Sequence, residues 1–242
     1  MRILVVEDED ALRNGLRFNF EQEGYKVATA GDGPSAIEQF RSAEPPIDLV
    51  VLDLMLPGMS GYEICRMIRD RDLHVPILAL SARTLSEDKA QAFDCGTDQY
   101  MTKPFDLPEL LSRVRNLLER SSLRSTLAAD SDSTTVAIEK FDFDDGRVVV
   151  DFTTFEINVD GSRNSLTTME VQLLKYFIQN EGRVLSRSQI LTDVWEESAD
   201  VTTRSIDNFV LRLRKQIEPN PAEPKHILSV RGTGYRFVAK PE

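Results

Sequence analysis

The sequence predicts an α/β domain, built on a five-stranded parallel, doubly wound sheet, followed by a smaller α+β domain. Three observations carry this prediction. Apolar runs of strand length alternate five times with helical patterns before residue 120. A polar stretch without a lasting apolar period follows, and beyond it the order of elements changes. A chain of 242 residues is also comfortable for two domains.

The first domain, residues 1–120, is predicted from this alternation. Because a helix separates each strand from the next, the strands should run parallel, and their nearly all-apolar character fits a sheet covered on both faces. The predicted strands are ILVVE (3–7), KVATA (26–30), IDLVVLD (47–53), PILALSA (76–82) and QYMTK (99–103). The predicted helices lie near 10–22, 34–43, 61–70, 85–95 and 107–120.

A flexible linker is predicted at residues 121–137, SSLRSTLAADSDSTTVA, which are rich in Ser, Thr, Ala and Asp. The second domain, residues 138–242, begins with a β-rich stretch at 138–166. Three helical patterns and a closing β-hairpin follow. Because this order differs from that of the first domain, we expect the two domains to have different folds.

Local signals place the three helices of the second domain. Capping boxes, in which a Ser or Thr is followed three residues later by a Glu or Gln, occur at Thr167/Glu170 and Ser186/Gln189. The third helix, roughly 202–217, repeats apolar residues with the helical period, so these are expected to face the core. They are Ile206, Val210, Leu213 and Ile217, while Arg204, Asn208, Arg212 and Lys215 fall largely on the other side.

Composition narrows the class of protein. A hydrophobic content of 41% with 29% charged residues is that of a soluble globular protein. No apolar run approaches the length of a membrane span, and the N-terminus lacks a signal-peptide cleavage site, so we expect a cytoplasmic protein without a membrane partner. Cys65 and Cys95 show no metal-binding spacing and are expected to be reduced.

Charge is distributed unevenly along the chain. The formal net charge is -11, yet residues 203–240 carry eight Lys or Arg against three Asp or Glu. A basic segment on an acidic chain is a reason to expect DNA contacts there.

Chemically reactive side chains follow the predicted strands at their carboxyl ends, where the sites of open parallel sheets lie. They are Glu7, Asp8, Asp53, Ser81 and Lys103. Three converging carboxylates cannot all stay ionised alone, and a hard divalent cation, Mg²⁺ in particular, suits them. With a lysine as a second positive charge, the set could accept a phosphoryl group on an Asp oxygen. The glycines Gly58 and Gly61 are expected to serve the turn after Asp53.

Four motifs in this domain resemble the receiver domain of two-component response regulators: VVEDE (5–9), DLMLPGMSG (53–61), LSAR (80–83) and YMTKPF (100–105). The resemblance covers essentially all of residues 1–120 and implies a flavodoxin-like fold. It implies that Asp53 is the phosphoacceptor and takes its phosphate from a sensor histidine kinase. The protein would then be no enzyme, beyond its own Mg²⁺-dependent phosphorylation and dephosphorylation.

The same resemblance assigns further roles. Glu7, Asp8, Asp53 and the backbone carbonyl of Met55 would bind Mg²⁺. Ser81 would be the hydroxyl that moves to the phosphate, Tyr100 the aromatic that turns inward with it, and Lys103 the phosphate partner. Pro104 would follow a cis peptide bond, which an X-Pro bond allows at low cost.

The second domain carries the features of a DNA reader. Arg and Asn on the outward side of the third helix suit a major groove, since Arg reads guanine and Asn reads adenine. The segment HILSVRGTGYRFVAK (226–240) predicts a hairpin around a GTG turn, with Arg231 and Arg236 near its tip. An arginine there could enter a minor groove. On the helix alone, an ordinary amphipathic helix with a solvated basic face is an equal alternative.

The stretches RVLSRSQILTDVW, TTRSIDN, LRLRKQIEPNPAEP and VRGTGYRF resemble the winged helix-turn-helix domain of OmpR/PhoB-type regulators, over about 138–240. The resemblance implies that 202–217 is the recognition helix and 230–237 the wing, with promoter DNA and RNA polymerase as partners. The expected DNA contacts are Arg204, Asn208, Arg212, Lys215, Arg231, Thr233 and Tyr235. Phe209 stands where many relatives have a His, and Leu211 stands where a basic residue is common. Both differences are expected to reduce the polar contacts with DNA.

Dimerisation is implied by the receiver resemblance, through ion pairs on the face of the fourth helix, fifth strand and fifth helix. The matching positions are Lys89 with Glu109 and Asp94 with Arg115. A third pair needs an acid opposite Arg113, and the residue at that place is Gln99. We therefore expect a phosphorylation-promoted homodimer in which this contact is weakened or replaced.

Other classes of protein fit less well. An aspartyl-phosphate phosphatase or phosphotransferase of the haloacid-dehalogenase type needs a second Asp two residues after the nucleophile, where Met55 stands. A nucleotide-binding dehydrogenase needs a GxGxxG motif after the first strand, and this sequence has none there. A regulator that dimerises and binds DNA without phosphorylation remains open, although the intact acidic set disfavours it.

Overall fold

The computed structural model describes residues 1–127, 140–195 and 203–241, and the chain divides into two compact units, residues 1–123 and 124–242. The first unit alternates strands and helices: β1 (Arg2–Val6), α1 (Asp10–Gln22), β2 (Lys26–Ala30), α2 (Gly33–Ser42), β3 (Leu49–Asp53), α3 (Gly61–Arg69), β4 (Ile77–Ser81), α4 (Ser86–Asp94), β5 (Gln99–Thr102) and α5 (Leu107–Leu127). The strands pair in parallel in the order β2-β1-β3-β4-β5. The predicted doubly wound sheet is confirmed.

Apolar residues on both faces of this sheet are buried, as the near-continuous apolar strands predict. On one face, Val5, Val51 and Leu80 pack with Phe20 of α1 and Val114 of α5. Residues of the opposite parity, among them Leu4, Val50 and Leu52, are also fully buried. The central strands β1, β3 and β4 are therefore held in the core, whereas the edge strand β2 is partly exposed.

Helix α5 is longer than predicted. It continues to Leu127, so residues 121–127 of the predicted linker are helical, and no Gly or Pro lies between 109 and 127 to stop the helix. Residues 128–137, the remainder of the predicted linker, lie outside the described residues. A linker there stays a prediction.

The second unit joins two antiparallel sheets and three helices: β6 (Lys140–Phe143), β7 (Val148–Asp151), β8 (Glu156–Val159), β9 (Ser162–Ser165), α6 (Thr168–Gln179), β10 (Val184–Ser186), α7 (Arg187–Trp195), α8 (Thr203–Ile217), β11 (Ile227–Val230) and β12 (Gly234–Phe237). The first sheet has the order β6-β7-β8-β9 and the second the order β10-β12-β11. This arrangement is consistent with the predicted winged helix-turn-helix. No helix among the described residues is both long and apolar enough to cross a membrane.

Both predicted capping boxes form. The Thr167 hydroxyl accepts from the Glu170 N–H at 3.3 Å, and the Glu170 carboxylate accepts from the Thr167 N–H at 2.8 Å. Ser186 and Gln189 make the same reciprocal pair at 3.1 and 2.9 Å. The four apolar residues predicted for the inner side of α8 are at most 1% exposed: Ile206, Val210, Leu213 and Ile217.

Candidate acidic site and nucleic-acid interface

The carboxyl edge of the parallel sheet gathers the predicted acidic residues. Glu7 and Asp8 follow β1, and Asp53 ends the neighbouring strand β3. One carboxylate oxygen from each of these three residues lies within 4.8 Å of the others. Convergence follows from topology, because neighbouring parallel strands end at the same edge.

Lys103 binds two of the three acids. Its Nζ donates to Glu7 Oε2 at 2.7 Å and to Asp53 Oδ2 at 2.5 Å. Burial raises the pKa of the Glu7 carboxyl, and the neighbouring Asp53 charge adds to that rise. Burial also opposes the charge on Lys103, but its hydrogen bonds to Asp53 and Glu7 prevail and raise the pKa of its ammonium. Lys103 therefore stays protonated at neutral pH.

The donor set fits a divalent cation. Glu7 and Asp53 are 1% and 4% exposed, so water solvates their charge poorly, and one ammonium does not balance three carboxylates. Asp8 is exposed, and the described residues include no ion pair to its carboxylate. Oxygen donors of this kind are what Mg²⁺ prefers. The other Asp53 oxygen, Oδ1, accepts from the Met55 N–H at 2.7 Å.

The two predicted switch residues contact the same neighbour. The Ser81 hydroxyl accepts from the Arg83 N–H at 3.1 Å, and the Tyr100 hydroxyl donates to the Arg83 carbonyl at 2.7 Å. Both side chains are fully buried, so Tyr100 points into the protein. The Lys103–Pro104 peptide bond is cis, as the resemblance implied.

The two glycines after Asp53 serve different purposes. Gly58 has a φ of +79°, so the turn expectation is confirmed for it. A Cβ on Gly61 would lie 2.2 Å from the Asp53 carbonyl oxygen, so α3 can begin against this backbone only without a side chain. That close approach gives no sequence signal beyond the glycine.

The outward side of α8 is only partly exposed to solvent. Lys215 is exposed and Asn208 is half-buried, while the side chain of Arg204 lies outside the described residues. Arg212 packs within the unit: its Nε is 3.2 Å from Glu170 Oε1, and its guanidinium carbon is 4.3 Å from the centre of the Phe209 ring. These two contacts were not apparent from helical spacing.

Phe209 does not lie on the outward side of α8, where it was expected to cost a polar contact. It is fully buried, and its ring centre is 5.1 Å from that of Trp195 in α7. Leu211 does lie outward, with 44% of its surface exposed. The helical repeat that located the core side of α8 passes over Phe209, because the buried stripe is wider than that repeat.

The predicted wing is the hairpin of β11 and β12. Arg231 and Thr233 are exposed in its turn, and Arg236 is exposed on β12. Tyr235 differs from them, since it is 4% exposed and its hydroxyl donates to Asp207 Oδ1 at 2.6 Å.

The predicted dimer residues make contacts within the single chain. Arg113 is 5% exposed and binds Glu109 one turn earlier in α5, at 2.5 Å. Arg115 binds Glu23, which follows α1, at 3.0 Å. Lys89 is 8% exposed and lies 5.6 Å from the centre of the Tyr100 ring, and Asp94 is exposed at the end of α4.

The fold and both candidate sites define a class of protein. Residues 3–115 match the family described as response regulator receiver domain, and residues 161–237 match the family described as transcriptional regulatory protein, C terminal. The chain therefore belongs to the two-component response regulators of the OmpR/PhoB type.

Particular relatives support this assignment. The sensory transduction protein RegX3 of Mycolicibacterium smegmatis is 38% identical over 235 residues, which cover 97% of this chain and 98% of RegX3. The transcriptional regulatory protein KdpE of Mycobacterium tuberculosis is 36% identical over 237 residues, covering 98% of this chain and 99% of KdpE. The solved structure of a mutant of RitR matches with a TM-score of 0.70 over 99% of both chains, and at 21% identity it shows the fold alone.

Proposed function

We propose that this response regulator is a DNA-binding transcription regulator that a histidine kinase controls by phosphorylating Asp53. Phosphorylation promotes dimerisation through the receiver and binding to promoter DNA. One observation carries the proposal: Lys103 binds the carboxylates of both Glu7 and Asp53 at the carboxyl edge of the sheet.

The chemistry follows from these contacts. An Asp53 oxygen forms a bond to phosphorus as the bond from phosphorus to the histidine nitrogen of the kinase breaks. Lys103 and the Met55 N–H hold the two oxygens of Asp53, so the carboxylate is oriented before the reaction. Glu7, Asp8, Asp53 and the Met55 carbonyl would hold Mg²⁺, which supplies positive charge against the phosphoryl oxygens when bound.

Arg83 offers a route from the phosphate to the surface. Ser81 binds its N–H and Tyr100 binds its carbonyl, so both switch residues depend on the position of one backbone segment. Movement of the Ser81 hydroxyl to the phosphate releases the Arg83 N–H and alters the bond that holds Tyr100. The added charge of about -1.5 to -2 favours this movement.

Dimerisation requires an exchange of partners. Arg113 and Arg115 would leave or share their contacts with Glu109 and Glu23 to reach a second chain. An exposed ion pair, such as one made by Arg115, contributes less than about 1 kcal/mol, so the apolar part of the face should contribute most of the affinity. Gln99, which is 3% exposed, supplies no acid to Arg113.

DNA binding is assigned to α8 and the wing. Helix α8 would lie in a major groove, with Arg231 directed to the adjacent minor groove. A dimer would bind two half-sites, which raises affinity through effective concentration without a new base contact. RNA polymerase at the promoter is the further partner proposed.

Mass spectrometry tests the assignment of Asp53. Full-length protein incubated with acetyl phosphate and Mg²⁺ should gain the mass of one phosphoryl group, and Asp53→Asn should gain none. Asp70→Asn, which neutralises an exposed acid at the end of α3, is the matched control and should gain as much as the wild type. Equal phosphorylation of Asp53→Asn would contradict the mechanism.

The same samples decide between phosphorylation-dependent and independent regulation. Light scattering and promoter binding should show a gain on phosphorylation in the wild type and none in Asp53→Asn. If Asp53→Asn dimerises and binds DNA as tightly as the phosphorylated wild type, the regulator acts without phosphate.

A further inference from the structure

A carboxylate on α8 accepts two hydrogen bonds that the sequence did not predict. Asp207 Oδ1 accepts one from Arg187 Nε at 2.9 Å and one from the Tyr235 hydroxyl at 2.6 Å. Arg187 is the first residue of α7, and Tyr235 lies in β12 of the wing. One carboxylate oxygen therefore joins the proposed recognition helix both to the preceding helix and to the wing.

Arg187 also binds the wing directly. Its backbone N–H donates to the Thr233 carbonyl at 3.3 Å, within the turn between β11 and β12. Its Nη2 donates to the Tyr235 hydroxyl at 3.3 Å, and its guanidinium carbon lies 4.8 Å from the centre of the Tyr235 ring. The wing is thus held by the backbone of Arg187 and by its side chain.

Arg214 of α8 makes a second link to the hairpin. Its guanidinium carbon is 5.8 Å from the centre of the Tyr235 ring, and it donates to the Ile227 carbonyl at 2.6 Å and to Ser229 Oγ at 2.9 Å. Burial, together with the bond to Asp207, raises the pKa of Tyr235 to about 12, so its hydroxyl remains a donor at neutral pH. We name these four residues the wing clamp: Arg187, Asp207, Arg214 and Tyr235.

We propose that Asp207 is a positioning residue for DNA recognition, whose carboxylate holds the wing in place relative to α8 through Arg187 and Tyr235. The proposal rests on the proposed function. A DNA-binding domain that contacts two grooves at once needs its two contact elements at a fixed spacing. Charge-assisted hydrogen bonds can maintain that spacing before DNA binds. Without Asp207, Arg187 and Tyr235 lose their shared partner on α8, so Arg231 at the wing turn is held less firmly relative to α8.

The negative charge of Asp207 allows a positioning role to be distinguished from a charge effect. A carboxylate near DNA repels phosphates, so its removal alone should strengthen sequence-independent binding. Loss of the clamp should have the opposite effect on the preferred sequence, because that sequence needs both contacts together. The ratio of the two affinities therefore separates a positioning role from a simple charge effect.

Binding measurements with full-length protein provide the test. The preferred sequence is first selected from a random duplex library with phosphorylated wild-type protein, and a scrambled duplex of equal length serves as the sequence-independent probe. For Asp207→Ala we expect affinity for the selected sequence to fall roughly 10-fold or more, as for the loss of charge-assisted hydrogen bonds. Affinity for the scrambled duplex should stay the same or rise.

Asp193→Ala is the matched control. The Asp193 carboxylate also accepts from a tyrosine hydroxyl, that of Tyr176 at 2.5 Å, but this pair joins α7 to α6, and neither residue belongs to the wing hairpin. Both changes remove one negative charge and a tyrosine–carboxylate hydrogen bond, but Asp207 also accepts from Arg187 and binds the wing, so Asp193→Ala should keep the wild-type affinity ratio. An equal fall in the ratio for Asp193→Ala would mean that Asp207 acts only through the stability of the unit.

Two further variants keep the test decisive if Asp207→Ala does not fold, as judged by circular dichroism. Asp207→Asn keeps an acceptor without the charge, and Tyr235→Phe removes one donor and keeps the ring. Both should lower the affinity ratio by less than Asp207→Ala. A wild-type ratio in the folded variants overturns the positioning role, whereas a wild-type protein that selects no sequence overturns the proposed function itself.

Discussion

Asp8 differs from its two acidic neighbours in exposure and in partners. Glu7 and Asp53 are buried and bound to Lys103, whereas Asp8 is exposed, and no ion pair to it occurs in the described part of the chain. We therefore expect its carboxylate to contribute to the proposed cation binding and little to the stability of the free receiver.

Asp8→Asn is expected to leave the unfolding free energy without Mg²⁺ within about 0.5 kcal/mol of the wild type. It should lose most of the stabilisation that Mg²⁺ provides, because a ligand present below its dissociation constant hardly stabilises the native state. Thermal unfolding in EDTA and in millimolar Mg²⁺ measures both quantities. Glu9→Gln, at an exposed neighbour, is the control, and an unchanged response of Asp8→Asn to Mg²⁺ would refute the assignment.

Phe209 and Leu211 of α8 make a second contrast at the residue scale. Phe209→Ala should reduce the free energy of unfolding by about 3–5 kcal/mol, because it opens a cavity beside Trp195. Leu211→Ala should change it by no more than about 0.5 kcal/mol, since the side chain is 44% exposed. Denaturant unfolding followed by the fluorescence of Trp195, the single tryptophan, reports on this unit. Equal effects of the two changes would contradict the burial of Phe209.

At the scale of elements, local signals predicted helix starts better than helix ends. The start of α6 is set by the reciprocal bonds of Thr167 and Glu170, which follow from four consecutive residues. The predicted end of α5 was wrong. Ser and Thr at 121–127 suggested coil, but this stretch contains no Gly or Pro to terminate the helix. Strand β9, SRNS, is exposed throughout and exists through its pairing with β8, so no apolar pattern could delimit it.

The cap of α6 supports a prediction. Thr167→Ala should lower the free energy of unfolding by about 1 kcal/mol, because it leaves the Glu170 N–H without its acceptor. Thr167→Ser keeps the hydroxyl and should recover most of the loss. The Trp195 fluorescence assay measures both variants, and equal stability of Thr167→Ala and the wild type would exclude a stabilising cap.

At the scale of the whole molecule, the two units divide the proposed function. The proposed phosphoryl site lies in the first, where parallel topology brings strand ends together. The proposed DNA contacts lie in the second, in a segment with eight basic and three acidic residues on a chain of net charge -11. Charge and element order along the sequence already indicated that the acidic site and the basic, proposed DNA-binding segment lie in different domains.

The sequence was sufficient for the order of elements in the first unit, the doubly wound sheet and the residues at its carboxyl edge, whereas strand β10 between α6 and α7 was not predicted. These follow from apolar period and from the rule that parallel strands end together, both of which can be read along the chain. The partners of individual side chains are known only from the tertiary structure. Examples are the burial of Phe209, the pairing of Arg212 with Glu170, and the bonds from Arg187 and Tyr235 to Asp207. Those partners are 14 to 42 residues apart along the chain, and packing brings them together by shape and charge complementarity that no local pattern encodes.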